Sequence, residues 1–270
     1  MQRRSFLTAA APSTSALAGC LGGDSGSGTP SDGDGTTPTS TDASTGSFER
    51  KEVEGEMVPL VPVDVTREWY AAGSATFADA RGEGQYEQAH IEGAVWSPAP
   101  DGRGDDPLEA LATDERIVCY CGCPHHLSSL RAASLIEDGY ESVYVIDEGF
   151  FEWADRGYPV AGTEVEGSAR VVRGRADPAH AGEPVYASHE PTDQREAAFV
   201  AADGTYELHL RFADLSPDAP IRVDAPTYTV VAPLPELTDG VVTPPQRAGR
   251  RRRSGAASRR RNRPRRYRPV

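Results

Sequence analysis

The sequence predicts a chain in two folded parts: an α/β domain on a parallel sheet at residues 58–163, then a small all-β sandwich at residues 164–240. Three observations predict this. Residues 116–120 (RIVCY) and 142–146 (SVYVI) are short apolar runs that read as buried strands. Between them Leu127, Leu130, Ala133 and Ile136 recur every three residues, as on one helical face, and Gly139 ends the pattern. From residue 166 to 234, by contrast, short alternating segments follow one another, separated by Gly, Pro and Asp.

The elements follow in order. Arg3-Arg4-Ser5-Phe6-Leu7 and the mild apolar stretch after it resemble a twin-arginine export signal. Leu17-Ala18-Gly19-Cys20 resembles a lipobox, so residues 1–20 are expected to be a signal peptide with a lipid on Cys20. The apolar stretch is too short to span a bilayer. The expectation is an exported protein held by lipid alone on the outer face of the cytoplasmic membrane. Residues 21–57, rich in Ser, Thr, Gly, Asp and Pro over most of their length, are expected to be a disordered linker.

In the α/β domain, residues 76–79 (TFAD) add a third buried strand. Strand, loop, helix and strand over residues 116–146 make a βαβ unit, and such units build parallel sheets. In the second part, strands are expected within residues 169–172, 184–187, 197–200, 206–210, 221–223 and 228–231. Ala202-Asp203-Gly204-Thr205-Tyr206 is a turn feeding a strand, and it resembles a feature of carboxypeptidase regulatory-like modules. His180, His189 and His209 are scattered here without a cluster of nucleophile, base or ligands.

Residues 241–270 are expected to be a disordered arginine-rich tail; from Gln246 onward they hold twelve arginines and no acid. A shift of reading frame across acidic codons would generate such a run, and the nucleotide sequence would reveal it. With a net charge of −13 for the whole chain, the part before the tail carries about −25. Lys51 is the only lysine, against 27 arginines. A heavily acidic, lysine-poor surface keeps a protein hydrated in high salt, so a halophilic setting is expected. It also repels phosphate backbones, so no nucleic-acid partner is expected. Oligomeric state has no signal in the sequence.

The chemistry concentrates in residues 119–129, CYCGCPHHLSS. This stretch lies where a strand runs into the next helix, and in open α/β sheets ligands gather at the carboxyl ends of strands. Three readings stand side by side. One cysteine is a nucleophile; or two form a disulfide, although a ring between Cys121 and Cys123 would be tight; or Cys119, Cys121, Cys123, His125 and His126 hold a soft metal.

Four segments, in order over about a hundred residues, resemble the rhodanese family of sulfurtransferases. They are Phe77-Ala78-Asp79-Ala80-Arg81, Gln88-Ala89-His90-Ile91-Glu92-Gly93-Ala94, Val118-Cys119-Tyr120-Cys121, and Gly149-Phe150-Phe151-Glu152-Trp153 with Gly157-Tyr158-Pro159-Val160. The resemblance implies a rhodanese-like parallel sheet with helices on both faces. It implies Cys121 as the nucleophile, carrying sulfane sulfur as a persulfide from a donor such as thiosulfate to a thiol or cyanide, with no cofactor. Gly122, Cys123, Pro124, His125, His126 and Leu127 are then the substrate-binding loop. Asp79, Arg81 and His90 are structural residues near the site, and Cys119 is a buried strand residue. The implied partner is a small sulfur-containing anion or thiol.

Backbone N–H groups of such a loop can converge on one anion, and the following helix N-terminus adds partial positive charge. Both favour a thiolate. His125 and His126 are expected to assist an anionic donor when protonated. The loop has no arginine, Leu127 standing where related phosphatases and arsenate reductases place one, which argues against phosphatase activity. The alternative is a non-catalytic rhodanese-like module that binds a partner or a metal through the Cys/His cluster.

Overall fold

The structure, a computed structural model, describes residues 47–163 and 169–245. The expected signal peptide with Cys20, most of the expected linker, and the arginine run from residue 246 lie outside the described residues. The first part is ordered along the chain as β1 (Glu49–Val53), β2 (Glu56–Val61), α1 (Val63–Ala71), β3 (Thr76–Asp79), α2 (Glu83–Gln88), β4 (Ala89–Ile91) and β5 (Val95–Trp96). There follow β6 (Ile117–Tyr120), α3 (Leu127–Glu137), β7 (Val143–Ile146), α4 (Gly149–Asp155) and β8 (Val160–Gly162).

The main sheet has six strands in the order β1-β2-β7-β6-β3-β5. β2, β7, β6, β3 and β5 are parallel neighbours, and β1 joins antiparallel to β2 at the edge. Alternation along β6 explains why the sheet is covered twice. Ile117 and Cys119 face a core shared with Leu127, Leu130 and Leu135 of α3. Val118 and Tyr120 face the opposite core, with Val63 and Trp69 of α1 and Phe150 and Trp153 of α4. A strand buried on both sides reads as a continuous apolar run, as RIVCY does.

Two boundaries differ from expectation: Val241 and Val242, expected in the tail, form a short strand that pairs in parallel with Arg173 and Gly174, because Val242 is buried in the apolar core of the second part. Residues 49–57 were expected in the linker, yet they form β1 and the turn into β2. The turn residues Glu54 and Gly55 both have positive φ, 52° and 92°, the tight geometry that suits the twist of a two-stranded hairpin. Val53, Val58 and Leu60 reach the core while Glu49, Arg50 and Glu52 stay exposed, so composition alone hid a half-buried edge hairpin.

The second part is β-rich: β9 (Arg170–Arg175), β10 (Pro184–His189), β11 (Gln194–Phe199), β12 (Thr205–Leu210), β13 (Pro220–Ala225), β14 (Tyr228–Pro233), α5 (Leu234–Thr238) and β15 (Val241–Val242). Two sheets, ordered β11-β10-β13-β14 and β12-β9-β15, share one apolar core through Val172, Val185, Leu208, Ile221 and Val223.

β11 ties the two parts together. Its Ala197 is buried in the same core as Cys119 and α3. Arg195 N–H donates to Gln85 Oε1 at 2.8 Å, and Arg195 Nη1 donates to the Ala99 carbonyl at 2.8 Å. Gly84 N–H donates to the Asp193 carbonyl at 3.2 Å. α3 therefore packs on the main sheet, β1 included, and also meets β11 of the second part. Polar residues of this helix are buried as well: Arg131 donates to Ser97 Oγ at 2.7 Å and lies 3.5 Å from Asp106 Oδ2, and Ser129 donates to the His125 carbonyl at 2.7 Å.

Candidate active site

Cys121 follows the last residue of β6, and the loop 122–126 leads from it into α3. Its side chain is fully buried. Cys121 Sγ donates to the Cys123 carbonyl at 3.0 Å and lies 3.3 Å from Ser128 Oγ. The backbone N–H groups of His126 and Ser128 also point to the sulfur, and these donors favour the thiolate. Burial outweighs them, and the Glu196 carboxylate adds to it; together they push the thiol up to about 11. Gly149 shapes the floor. Its φ is +82°, and a Cβ there would meet the carbonyl oxygens of Cys123 at 2.9 Å and Cys121 at 3.0 Å. Phe150 N–H then donates to the Cys121 carbonyl at 2.9 Å, locking the loop onto α4.

The other loop side chains diverge. Cys119 packs in the α3 core, where burial pushes its thiol up to about 12. Cys123 Sγ has two acceptors for its one proton, Glu196 Oε2 at 3.4 Å and the His209 carbonyl at 3.2 Å; burial and then Glu196 raise its pKa strongly. Pro124 is exposed, and Gly122 and Leu127 are buried. His125, at φ +36°, places Nδ1 2.9 Å from Asp147 Oδ1. His126 packs edge-on to Phe199 of β11, and its buried Nδ1 has no hydrogen-bond partner among the described residues.

Two expectations need correction. Burial first, then the Lys51 charge, push His126 down to about 3, so in this closed packing its ring is neutral at pH 7 rather than the cation expected. The alternative metal cluster also fails on geometry. Among the described residues no three His, Cys, Asp or Glu side chains gather as a metal site, because the five named side chains point to different partners. Cys119, Cys121 and Cys123 are all free thiols.

Asp79 and Arg81 form a buried pair next to the loop. Arg81 Nε donates to Asp79 Oδ1 at 2.9 Å and Nη2 to Oδ2 at 2.6 Å; Nη2 also reaches the Ala89 carbonyl at 2.7 Å. The guanidinium lies 4.2 Å from the centre of the Phe150 ring. His90 is held away from this pair, with Nδ1 2.7 Å from the Tyr86 carbonyl and its ring stacked on Tyr86.

Four further residues belong to the site. Ser128 is the hydroxyl on the sulfur. Lys51, from β1, lies 4.2 Å over the Phe199 ring and interacts electrostatically with Cys121; its pKa is lowered by burial, which Cys121 opposes. Glu196, from β11, is fully buried, and burial raises it to about 7. Gln85 Nε2 donates to Glu196 Oε1 at 3.3 Å. Lys51, the only lysine of an arginine-rich chain, carried a compositional signal; Glu196, Gln85 and Ser128 carried none.

Residues 63–156 match the family model described as Rhodanese-like domain. Over 89 residues the chain is 33% identical to the HTH-type transcriptional regulator Rv0324 of Mycobacterium tuberculosis, a match covering 33% of this chain and 38% of that protein. The chain thus spans well under half the length of that relative. Among solved structures, the Rhodanese-like domain of the Anabaena sp. Alr3790 protein is 25% identical, with 40% of this chain and 81% of that chain covered and a TM-score of 0.36. Human single-domain sulfurtransferase TSTD1 is 17% identical, with 37% and 97% covered and a TM-score of 0.33.

Proposed function

We propose that the Rhodanese-like domain at residues 63–156 transfers sulfane sulfur through a persulfide on Cys121. The observation that carries the reading is the convergence of the His126 and Ser128 N–H groups and the Ser128 hydroxyl on one sulfur at the mouth of α3. Donors fixed around a sulfur stabilise the thiolate, which is the nucleophile, and the same donors stabilise the anion it meets. In the first half-reaction the Cys121 thiolate attacks the outer sulfur of thiosulfate. The donor's S–S bond breaks, sulfite leaves with the bonding pair, and Cys121 carries the persulfide. In the second, an acceptor thiolate or cyanide attacks that terminal sulfur, and Cys121 leaves as the thiolate. No external oxidant or reductant is needed.

The Cys121 side chain has no solvent exposure. Loading therefore requires the packing over the sulfur to open a path for the donor. On the reading of the N-terminal residues given above, the reaction would take place on the outer face of the membrane, with a small sulfur anion or thiol as the partner and the lipid anchor as the contact with the membrane.

A second reading is favoured by the same burial. A thiol pushed up to about 11 and closed off suits a non-catalytic module that binds a partner. Intact mass measured after incubation with thiosulfate separates the two. A one-sulfur adduct that is absent in Cys121→Ser supports transfer. Absence of any adduct, including after long incubation with excess donor, overturns it.

A further inference from the structure

Glu196 is a buried charge that the two half-reactions do not use. It comes from β11, outside residues 63–156, and stands directly against the Cys121 loop. A Cβ on Gly122 would lie 2.7 Å from Glu196 Oε1, so the carboxylate rests on the loop backbone itself. The groups facing it are few. Gln85 Nε2 and the Cys123 thiol donate to it, at 3.3 Å and 3.4 Å. Arg81 and Arg211 act on it electrostatically, and it acts on Cys121. Arg81 is already matched by Asp79 in a two-pronged ion pair, and Arg211 lies 4.0 Å from the centre of the Phe151 ring. A sulfur donor approaching Cys121 brings its own negative charge to this loop. In a dry site that charge meets the carboxylate with little screening, and a second charge about doubles the repulsion.

We propose that Glu196 selects the sulfur donor by its charge, so that the Cys121 site prefers singly charged sulfane donors to doubly charged thiosulfate. The inference rests on sulfur transfer at Cys121 and names the donor class for it. Methanethiosulfonate is the probe, because it is thiosulfate with one oxygen replaced by a methyl group and one charge fewer. Its loading step balances in the same way. The Cys121 thiolate attacks the outer sulfur, the S–S bond breaks, methanesulfinate leaves, and Cys121 holds the persulfide.

The test measures initial rates of one-sulfur loading on the full chain by intact mass, with each donor in turn. The ratio of methanethiosulfonate to thiosulfate rates is the readout, and both donors keep their charge across neutral pH. In Glu196→Gln the ratio should fall about tenfold, the size of effect one nearby like charge produces in a partly screened site. In Glu196→Asp it should stay near the wild-type value. In the wild type it should fall as pH drops from 8 to 6, because Glu196 takes up its proton near 7. That series decides the matter without any variant, should Glu196→Gln fold poorly. A ratio that stays constant across this pH range in the wild type overturns the proposal and leaves sulfur transfer standing. Failure of both donors to load at any pH overturns sulfur transfer as well.

Discussion

The Cys123 thiol donates a hydrogen bond to Glu196 Oε2 at 3.4 Å, across 73 positions of sequence. This contact joins the loop after β6 to the β-rich part of the chain and puts a carboxylate against the loop that carries Cys121. Its consequences can be measured.

Stability should depend on pH through Glu196. Its folded pKa is raised to about 7 from an ordinary value of 4.5, because burial disfavours the charged form. Between those values the folded state binds more protons than the unfolded state. This group's stabilisation is therefore fully present below about 4.5 and is lost as pH rises through 7. Melting temperatures across pH 5 to 8 should show Glu196→Gln gaining on the wild type as pH rises, by several degrees at the upper end. A constant difference would refute the assignment.

Cys121 should be slow to alkylate. With its pKa pushed up to about 11, on the order of one thiol in ten thousand is ionised at pH 7, and burial hides even that one. Reaction with iodoacetamide should accelerate with pH well beyond 8.5, where an ordinary thiol levels off. Arg195→Ala removes the bond to the Ala99 carbonyl and loosens β11, so it should alkylate faster than the wild type at every pH. Peptide mapping of residues 117–131 reads the site.

Ser128→Ala removes the only side-chain hydroxyl on the Cys121 sulfur among the described residues. A hydrogen bond to a charged group is worth about 1.5–3 kcal/mol, so loading from any donor should slow about tenfold or more. Ser128→Thr, which keeps the hydroxyl, should recover part of the rate. Equal loss in both variants would point to packing instead.

Asp79→Ala should destabilise the fold by about 3–5 kcal/mol, because it strands the buried Arg81 guanidinium. Gly149→Ala should cost about 1–3 kcal/mol, since an alanine at φ +82° is strained and its Cβ would press on two loop carbonyls. Urea denaturation measures both. A loss under 1 kcal/mol in either variant would contradict the packing described.

Much of the fold is legible in the residues. The runs TFAD, RIVCY and SVYVI are strands because central parallel strands are apolar on both faces, and the helix between the last two begins and ends close to where periodicity and Gly139 place it. The six alternating segments of the second part each fall on a strand for the same kind of local reason. The β1–β2 hairpin was not legible, because a charged edge strand beside a polar tether looks like more tether.

The sequence by itself determined the sheet, the position of Cys121 at a strand end, and the loop of N–H donors that follows it, since these depend on neighbours along the chain. Only the tertiary structure decided what faces that sulfur. Lys51 and Glu196 arrive from β1 and β11, His126 is stripped of its charge by burial, and the five candidate ligands part company. These depend on which surfaces pack together, and burial, which acts through three-dimensional neighbours, shifts Cys121, His126 and Glu196.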